Sequence, residues 1–151
     1  MTYYTYDTSV IVSRNPLILP GQSERFLLSA VVLMELCASA RDESQRRMYE
    51  RLFRAYAQDN SLITPDDHDW LLASKVLFWL AQGRRRSRKG RATRLKPGAS
   101  QRMALDALIA VSARRWKAAV VTENWEDFRA IQRYCNVSVV KAAHFFRHSR
   151  P

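Results

Sequence analysis

The sequence predicts an α/β protein, a three-layer α/β/α sandwich in which helices flank a central parallel sheet of four to five strands. Short runs rich in β-branched and aromatic residues alternate with longer apolar or amphipathic segments along the chain. This alternation is typical of parallel sheets, because each crossover between parallel strands needs a helix-length connection. At 151 residues, we expect a single domain over 1–151 with a buried core.

The first predicted strand covers Met1–Val12, MTYYTYDTSVIV, with Asp7 in its middle. Asp is depleted in strand interiors, so a second interpretation ends the strand near Asp7 and turns the chain there. Ligand sites in open α/β sheets gather outside the carboxyl ends of the strands. The second interpretation would therefore place Asp7 where such a site is expected.

A short strand at Phe26–Leu28 and a helix at Val31–Ala40 are predicted next, with Ser29 as the helix cap. Glu35 is the one charged residue in this helix, VVLMELCASA. A solvated helix face would carry more charges, so Glu35 is an acid within an apolar segment. The amphipathic pattern of Gln45–Gln58 predicts an ordinary packed helix.

Leu62–Ile63 is predicted as a short strand, and Asp69–Gln82 as a markedly apolar helix. Between them, Thr64 is the expected cap and Pro65 the first helical residue. The acids at 66–67 suit the positive end of a helix, so we assign them a structural role.

The segment 83–96, GRRRSRKGRATRLK, contains eight basic residues and no acid, and so supplies most of the +11 net charge. Together with Pro97-Gly98 it is predicted to form a basic loop insert over 84–98. Charged runs are often merely solvated, but this arginine density favours contact with phosphates. The candidate RNA-binding residues are Arg84, Arg85, Arg86, Arg88 and Lys89.

A helix is predicted from Met103, followed by a buried strand at Ala118–Val121 and a cap at 122–124. Asp106 lies within the apolar helix, and Asp127 falls in the first turn of the next helix. Burying an acid among Leu, Ile and Ala is costly unless something pairs with it. Asp106 could be a helix cap or an arginine partner. A helix–strand–helix unit could also bring both acids to one rim of the sheet.

The chain is predicted to end with a strand at Asn136–Lys141 and a helix at Ala142–Arg147. His144 and His148 are four residues apart, but no third ligand of matching type lies nearby. We therefore interpret them as surface residues rather than a metal pair.

The two cysteines, Cys37 and Cys135, are too few for a disulfide scaffold, so a reducing compartment is the simpler interpretation. No apolar run approaches the roughly 20 residues needed to span a membrane, and the N-terminus lacks the pattern of a signal peptide. We expect a cytoplasmic protein without a membrane partner.

Four acids in their local contexts resemble those of PIN-domain nucleases, and more narrowly the VapC toxins of bacterial toxin–antitoxin pairs. The matching motifs are Asp7 in YDTSV, Glu35 in LMEL, Asp106 in LDALIA, and Asn124-x-x-Asp127-Phe128 in VTENWEDF. The resemblance implies a parallel sheet with the acids at its carboxyl edge, Mg²⁺ or Mn²⁺ bound by them, and RNA cleavage. It also implies an antitoxin protein and usually a homodimer. The RNA could be tRNA or another structured RNA. The basic insert is long for this family.

On that resemblance, Asp7 and Asp106 are the expected direct metal ligands, and Glu35 is expected to orient or activate a water. Asp127 would complete the catalytic cluster, with Asn124 as its rival for the fourth place. Such oxygen ligands suit Mg²⁺, which keeps several waters. Three hydroxyls could donate hydrogen bonds near the site: Thr8, Ser9 and Thr122.

Two other functions stay open. One is a PIN nuclease of RNA processing or decay that has no antitoxin. The other is a non-catalytic basic RNA-binding module, although a pure binder gains nothing from acids that face phosphate. For a toxin, the apolar helices at 31–40 and 70–80 are predicted to form a groove for an amphipathic antitoxin helix.

Overall fold

The computed structural model describes residues 2–19, 23, 25–87 and 98–148. Its strands are β1 Tyr3–Tyr6, β2 Leu28–Ser29, β3 Leu62–Ile63, β4 Ala118–Thr122 and β5 Val139–Lys141. Its helices are α1 Thr8–Arg14, α2 Ala30–Ala38, α3 Glu43–Gln58, α4 Asp67–Ser87, α5 Ala99–Arg115, α6 Trp125–Gln132 and α7 Ala142–His148.

The strands are parallel, as predicted, but the described ones divide into a three-stranded sheet and a separate pair. The sheet has the order β1-β4-β5, with Tyr6 opposite Val121, and β2 pairs with β3. All five residues of β4 are buried, which suits a central strand. A bridge between Tyr4 and Phe26 brings the pair alongside β1. One sheet of four to five strands is therefore not confirmed, and the layered sandwich stays a prediction.

The strand predicted over residues 1–12 ends at Tyr6, so the second interpretation of this segment is correct. Asp7 has an extended backbone (φ −70°, ψ 156°) at the N-cap position of α1. Val10 and Ile11 then point from α1 into the core. A β-branched run predicts a strand, but burial of one helix face outweighs that local preference.

The start of α4 differs from the prediction, because Asp66 rather than Thr64 caps it. The backbone N–H of Asp69 donates to Asp66 Oδ1 at 2.9 Å, and that of Asp66 donates to Asp69 Oδ2 at 3.1 Å. Arg115, at the end of α5, donates to Asp69 and to the carbonyl of Thr64. Asp66 and Asp69 therefore have a structural role.

The basic segment is helical at its beginning rather than a loop from residue 84. α4 continues to Ser87, and α5 begins at Ala99 after Gly98, whose φ of 81° is left-handed. Arginine is a good helix former, and cations at a helix C-terminus are stabilised by the dipole, which explains the extension. Arg88, Lys89 and the rest of 88–97 lie outside the described residues.

α5 passes through the centre of the described structure, and its residues Ala107, Ala110 and Ala113 are fully buried. Their small side chains allow neighbouring elements to approach closely. Cys37 and Cys135 are both free thiols, and His144 is exposed on α7. Among the described helices, none is long and apolar enough to cross a membrane.

Candidate active site

Asp7 lies at the carboxyl end of β1, where only 3% of its surface is exposed. Its Oδ2 accepts hydrogen bonds from Ser9 Oγ at 2.6 Å and from Thr122 Oγ1 at 2.9 Å. Thr122 is the last residue of the neighbouring strand β4. The two parallel strands thus bring the acid and its donors to one edge of the sheet.

Backbone amides fix the direction of both hydroxyls. Ser9 Oγ accepts from the N–H of Glu123 at 3.2 Å, and Thr122 Oγ1 accepts from the N–H of Asn124 at 2.8 Å. A hydroxyl has a single proton, so each one is directed at Asp7. The chain after β4 therefore helps to hold the Asp7 carboxylate in place.

Glu35 is half-buried on α2, and its Oε2 accepts a hydrogen bond from Thr8 Oγ1. Burial raises the pKa of Glu35, and the charge of Asp7 raises it further, while the bond from Thr8 opposes this. The effect of Asp7 shows that β2 and α2 bring Glu35 into the electrostatic neighbourhood of the first acid.

Asp106 is buried in the interior of α5, seven residues after the helix begins, so it is not a helix cap. Within the described part of the chain it has no arginine partner either. Its Oδ2 instead accepts from Asn124 Nδ2 at 3.2 Å, and the same nitrogen donates to Asp127 Oδ2 at 2.8 Å. Asn124 and Asp127 therefore both belong to the site, the amide as a bridge between two acids.

Asp7 and Asn124 occupy the N-cap positions of α1 and α6, yet neither side chain caps its helix. Asp7 accepts from the hydroxyls of Ser9 and Thr122, and Asn124 donates to the carboxylates of Asp106 and Asp127. Residues of this type normally stabilise a helix by bonding to its first amides. The side chain of Asn124 bridges two acids instead.

The pKa of Asp106 shows that this residue lies within electrostatic reach of the other three acids. The pKa of Asp106 is raised to about 8, first by burial and then by the charges of Asp7, Asp127 and Glu35, while Asn124 opposes the rise. Burial also raises the pKa of Asp7, and the bonds from Ser9 and Thr122 oppose it. Mutual repulsion of this kind is relieved when a cation lies among the carboxylates.

The chemistry of the cluster fits a hard divalent cation, since its donors are carboxylate, amide and hydroxyl oxygens. Among the described residues, no group of three or more His, Cys, Asp or Glu side chains forms a ready-made metal cage. Mg²⁺ does not need one, because it commonly binds one or two carboxylates and keeps its remaining waters. Asp7 and Asp106 are the most buried acids of the cluster and the best candidates for direct ligands.

The candidate RNA-binding residues Arg84, Arg85 and Arg86 form the C-terminal end of α4, and Arg85 and Arg86 are exposed. Three other basic residues near the site were not predicted from the sequence. Arg14 of α1 forms an ion pair with Glu123, and Arg129 and Lys141 lie over the ring of Trp125. The spacing of Trp125 and Arg129, i and i+4 on one helix, was the available signal for one of these contacts.

A cavity of about 920 Å³ lies apart from the four acids, none of which lines it. Aromatic side chains dominate its wall, among them Tyr3, Tyr4, Phe26, Phe145 and Phe146. It contains none of the carboxylates that the sequence singles out, so the acid cluster remains the candidate active site.

No protein-family model and no curated protein matches the chain. It is similar in structure to a chain of DNA-bound VapBC from Salmonella typhimurium, with 17% identity and a TM-score of 0.59 over 94% of this chain and 99% of the other. It is also similar to a chain of VapBC-5 from Mycobacterium tuberculosis, a member of the VapBC family of toxin-antitoxin systems. The identity is 21% and the TM-score 0.55, over 93% of this chain and 99% of the other. A chain of FitAcB from Neisseria gonorrhoeae is similar at 19% identity and a TM-score of 0.56, over 93% of this chain and 99% of the other. The resemblance inferred from the acids is confirmed at the level of the fold.

Proposed function

From a chain that has the fold of VapC-type PIN-domain proteins, we propose a metal-dependent endoribonuclease that acts as the toxin of a toxin–antitoxin pair. The observation that supports this best is Asp106, which is buried within α5 under the charges of three other acids. Among the described residues the four acids have no basic partner, so crowding them costs stability, which a purely structural role does not explain. A site that binds a cation and a phosphodiester explains why the acids are placed together.

Mg²⁺ or Mn²⁺ is the proposed cofactor, with Asp7 and Asp106 as its ligands. When bound, such an ion supplies a more acidic water and a counter-charge for the phosphate. Ser9 and Thr122 hold Asp7 in the orientation that ligation needs, because their protons are directed at its Oδ2. Asn124 holds Asp127 beside Asp106 and reduces the repulsion between them.

Glu35 is the proposed group that orients the attacking water and accepts its proton. Thr8 fixes one carboxylate oxygen of Glu35, which leaves the other for the water. A general base must lie within hydrogen-bond reach of the proton that it removes, and a fixed rotamer favours that geometry. Hydrolysis then breaks one phosphodiester bond of RNA.

Cleavage of RNA by the purified chain with Mg²⁺, Mn²⁺ or EDTA tests the activity. We expect Asp7→Asn and Asp106→Asn to lower the rate by about 100-fold or more, since each removes a charge that the reaction needs. Glu126→Gln is the matched control, because Glu126 is an exposed acid on the same helix as Asp127. Cleavage at the wild-type rate by either Asn variant would contradict the assignment, as would full activity in EDTA.

The proposed antitoxin partner fits a row of exposed apolar side chains on α4. The other helix predicted to line the groove, α2, instead packs most of its apolar side chains into the core and exposes only Met34 among its large ones. Trp70, Leu71, Phe78 and Trp79 are between 48% and 60% exposed. Leu71 and Phe78 are seven residues apart, so they lie on one stripe that an amphipathic helix can cover. The structural relatives named above come from two-component complexes. A homodimer of the toxin remains a prediction.

Co-expression with any small open reading frame adjacent to its gene, followed by pull-down, tests this partner. Leu71→Glu together with Phe78→Glu should abolish capture without lowering RNA cleavage, whereas Arg51→Gln at an exposed position of α3 should leave both unchanged. RNA cleavage by a non-toxic chain that captures no partner would instead favour a nuclease of RNA processing or decay.

A further inference from the structure

Two cations lie over the ring of Trp125, the first residue of α6. Lys141 Nζ is 4.9 Å from the ring centroid, and Arg129 Cζ is 5.4 Å from it. Both distances are within the range of a cation–π interaction, for which tryptophan is the best ring. Arg129 comes from the same helix and Lys141 from the end of β5, so the contact joins two elements.

This group lies next to the acid cluster. Trp125 follows Asn124 directly and precedes Asp127 by two residues. Lys141 is opposite Thr122 in the register of β4 and β5, and Thr122 donates to Asp7. The two cations are therefore at the carboxyl edge of the same sheet, on the side of β5.

Among the described residues, neither cation is paired directly with an acid. Arg14, on the other side of the cluster, is neutralised by Glu123, and Arg46 by Glu43. Within the described residues, Lys141 and Arg129 form no ion pair with an acid, and Arg129 donates to the neutral side chain of Gln132. A ring orients a cation without removing its charge or occupying all of its donors. Both side chains are exposed and can reach a ligand.

We propose that Trp125, Arg129 and Lys141 form a phosphate-binding site for single-stranded RNA, which holds the strand beside the acid cluster. This inference rests on the proposed nuclease function and assigns residues that bind its RNA substrate. Carboxylates repel phosphates, so a strand that enters the cluster needs positive charge close by. Trp125 is a positioning residue here, and the two cations bind the backbone phosphates.

Fluorescence anisotropy with a labelled single-stranded oligoribonucleotide tests the site, in a common Asp106→Asn background that prevents cutting. Lys141→Gln with Arg129→Gln should weaken binding roughly ten-fold or more at low salt. It should also flatten the log–log salt dependence by about 1.4, which is about 0.7 for each phosphate contact on a single strand. Arg51→Gln, which removes one exposed charge on α3, is the control and should change binding far less.

Substitutions of Trp125 separate positioning from simple charge. Trp125→Leu removes the ring and should lower affinity several-fold, although the net charge is unchanged. Trp125→Phe keeps a weaker ring and should recover part of the loss. Thermal unfolding of each variant checks that the fold persists.

An unchanged salt slope in the Lys141/Arg129 double variant would overturn the proposal, whether or not the wild type cuts RNA. A preference for single-stranded DNA over RNA of the same sequence would overturn the assignment to RNA. A reduced slope in a chain that cuts no RNA would retain the phosphate site and reject the nuclease. The two conclusions are thus tested separately.

Discussion

The side-chain amide of Asn124 donates a hydrogen bond to the buried carboxylate of Asp106 at 3.2 Å. The bond joins the end of β4 to the interior of α5. Because the same nitrogen also donates to Asp127, one uncharged residue holds two acids that would otherwise repel each other. Asn124 therefore completes the cluster as a donor and not as a further acid.

The first prediction follows from that bond. Asn124→Asp replaces a donor by another carboxylate and should destabilise the metal-free protein by about 1–3 kcal/mol, or about 3–10 °C in Tm. Addition of Mg²⁺ should recover part of the loss, since a cation neutralises the added charge. Thermal melts with and without Mg²⁺ measure both effects. Asn136→Asp adds the same charge at an exposed position and should leave Tm nearly unchanged.

The second prediction concerns the hydroxyls that bind Asp7. Their bonds favour its charged form, so losing one should raise the pKa of Asp7. Thr122→Val should shift the acidic limb of the pH profile of kcat/KM to higher pH by about 0.5–1 unit. A shift of this size corresponds to the loss of one hydrogen bond. Thr122→Ser keeps the hydroxyl and should restore the wild-type profile. A limb that does not move in the Val variant would show that Thr122 does not control this ionisation.

The third prediction is a pH dependence of stability in the metal-free protein. The pKa of Asp106 is about 8 in the folded chain and is near its ordinary value in the unfolded chain. A raised folded pKa means that the associated stability is complete below the unfolded pKa and is lost as pH rises toward 8. Asp106→Asn removes this loss. The Tm of the variant minus that of the wild type should therefore increase from pH 5 to pH 8.

Thermal melts of both proteins at each pH in EDTA provide the measurement, because groups that do not interact with Asp106 cancel in the difference. Saturating Mg²⁺ at pH 8 should raise the wild-type Tm more than that of Asp106→Asn, since the ion binds the folded cluster. A difference that stays constant with pH would show that Asp106 is not the group that titrates.

The fourth prediction concerns the basic segment. Replacing Arg84, Arg85, Arg86, Arg88 and Lys89 by Gln should flatten the salt slope of RNA binding by roughly 2–3, if three or four of these residues contact phosphates. KM should rise much more than kcat falls, because such contacts bind ground and transition states about equally. Salt titrations and steady-state kinetics measure the two effects. An unchanged slope would assign this charge to solubility or to an acidic partner.

Three of the four acids stand out in the sequence, because Asp7 ends a strand and Glu35 and Asp106 interrupt apolar segments. Asp127 was identified only by its place after β4 and by the resemblance of its motif. Glu35 and Asp106 stand out among Leu, Val and Ala in helices where no charge is needed. The division of roles between Asn124 and Asp127 could not be predicted in the same way. Both follow β4 at helical spacing, and only the three-dimensional position of Asp106 shows that Asn124 bridges the two acids.

Other features depend on packing that local patterns do not contain. Val10 and Ile11 fit a strand as well as a helix, and the choice depends on which face the core buries. The arginines at 84–86 fit either a solvated loop or a helix end. The contact between Lys141 and Trp125 joins residues 16 positions apart through a strand and a helix, so no spacing rule predicts it.

The link made by Arg115 bears on how this chain can evolve. It fastens the last turn of α5 to the first turn of α4 through Asp66, Asp69 and the carbonyl of Thr64. The alignment of the two helices is thus set at the end opposite to their connection. Because α5 is fixed at this end, we expect Asp106 to keep its place when the connection changes length, so that insertions between α4 and α5 cost the acid cluster little. We therefore expect chains of this fold to differ in length most freely at this position.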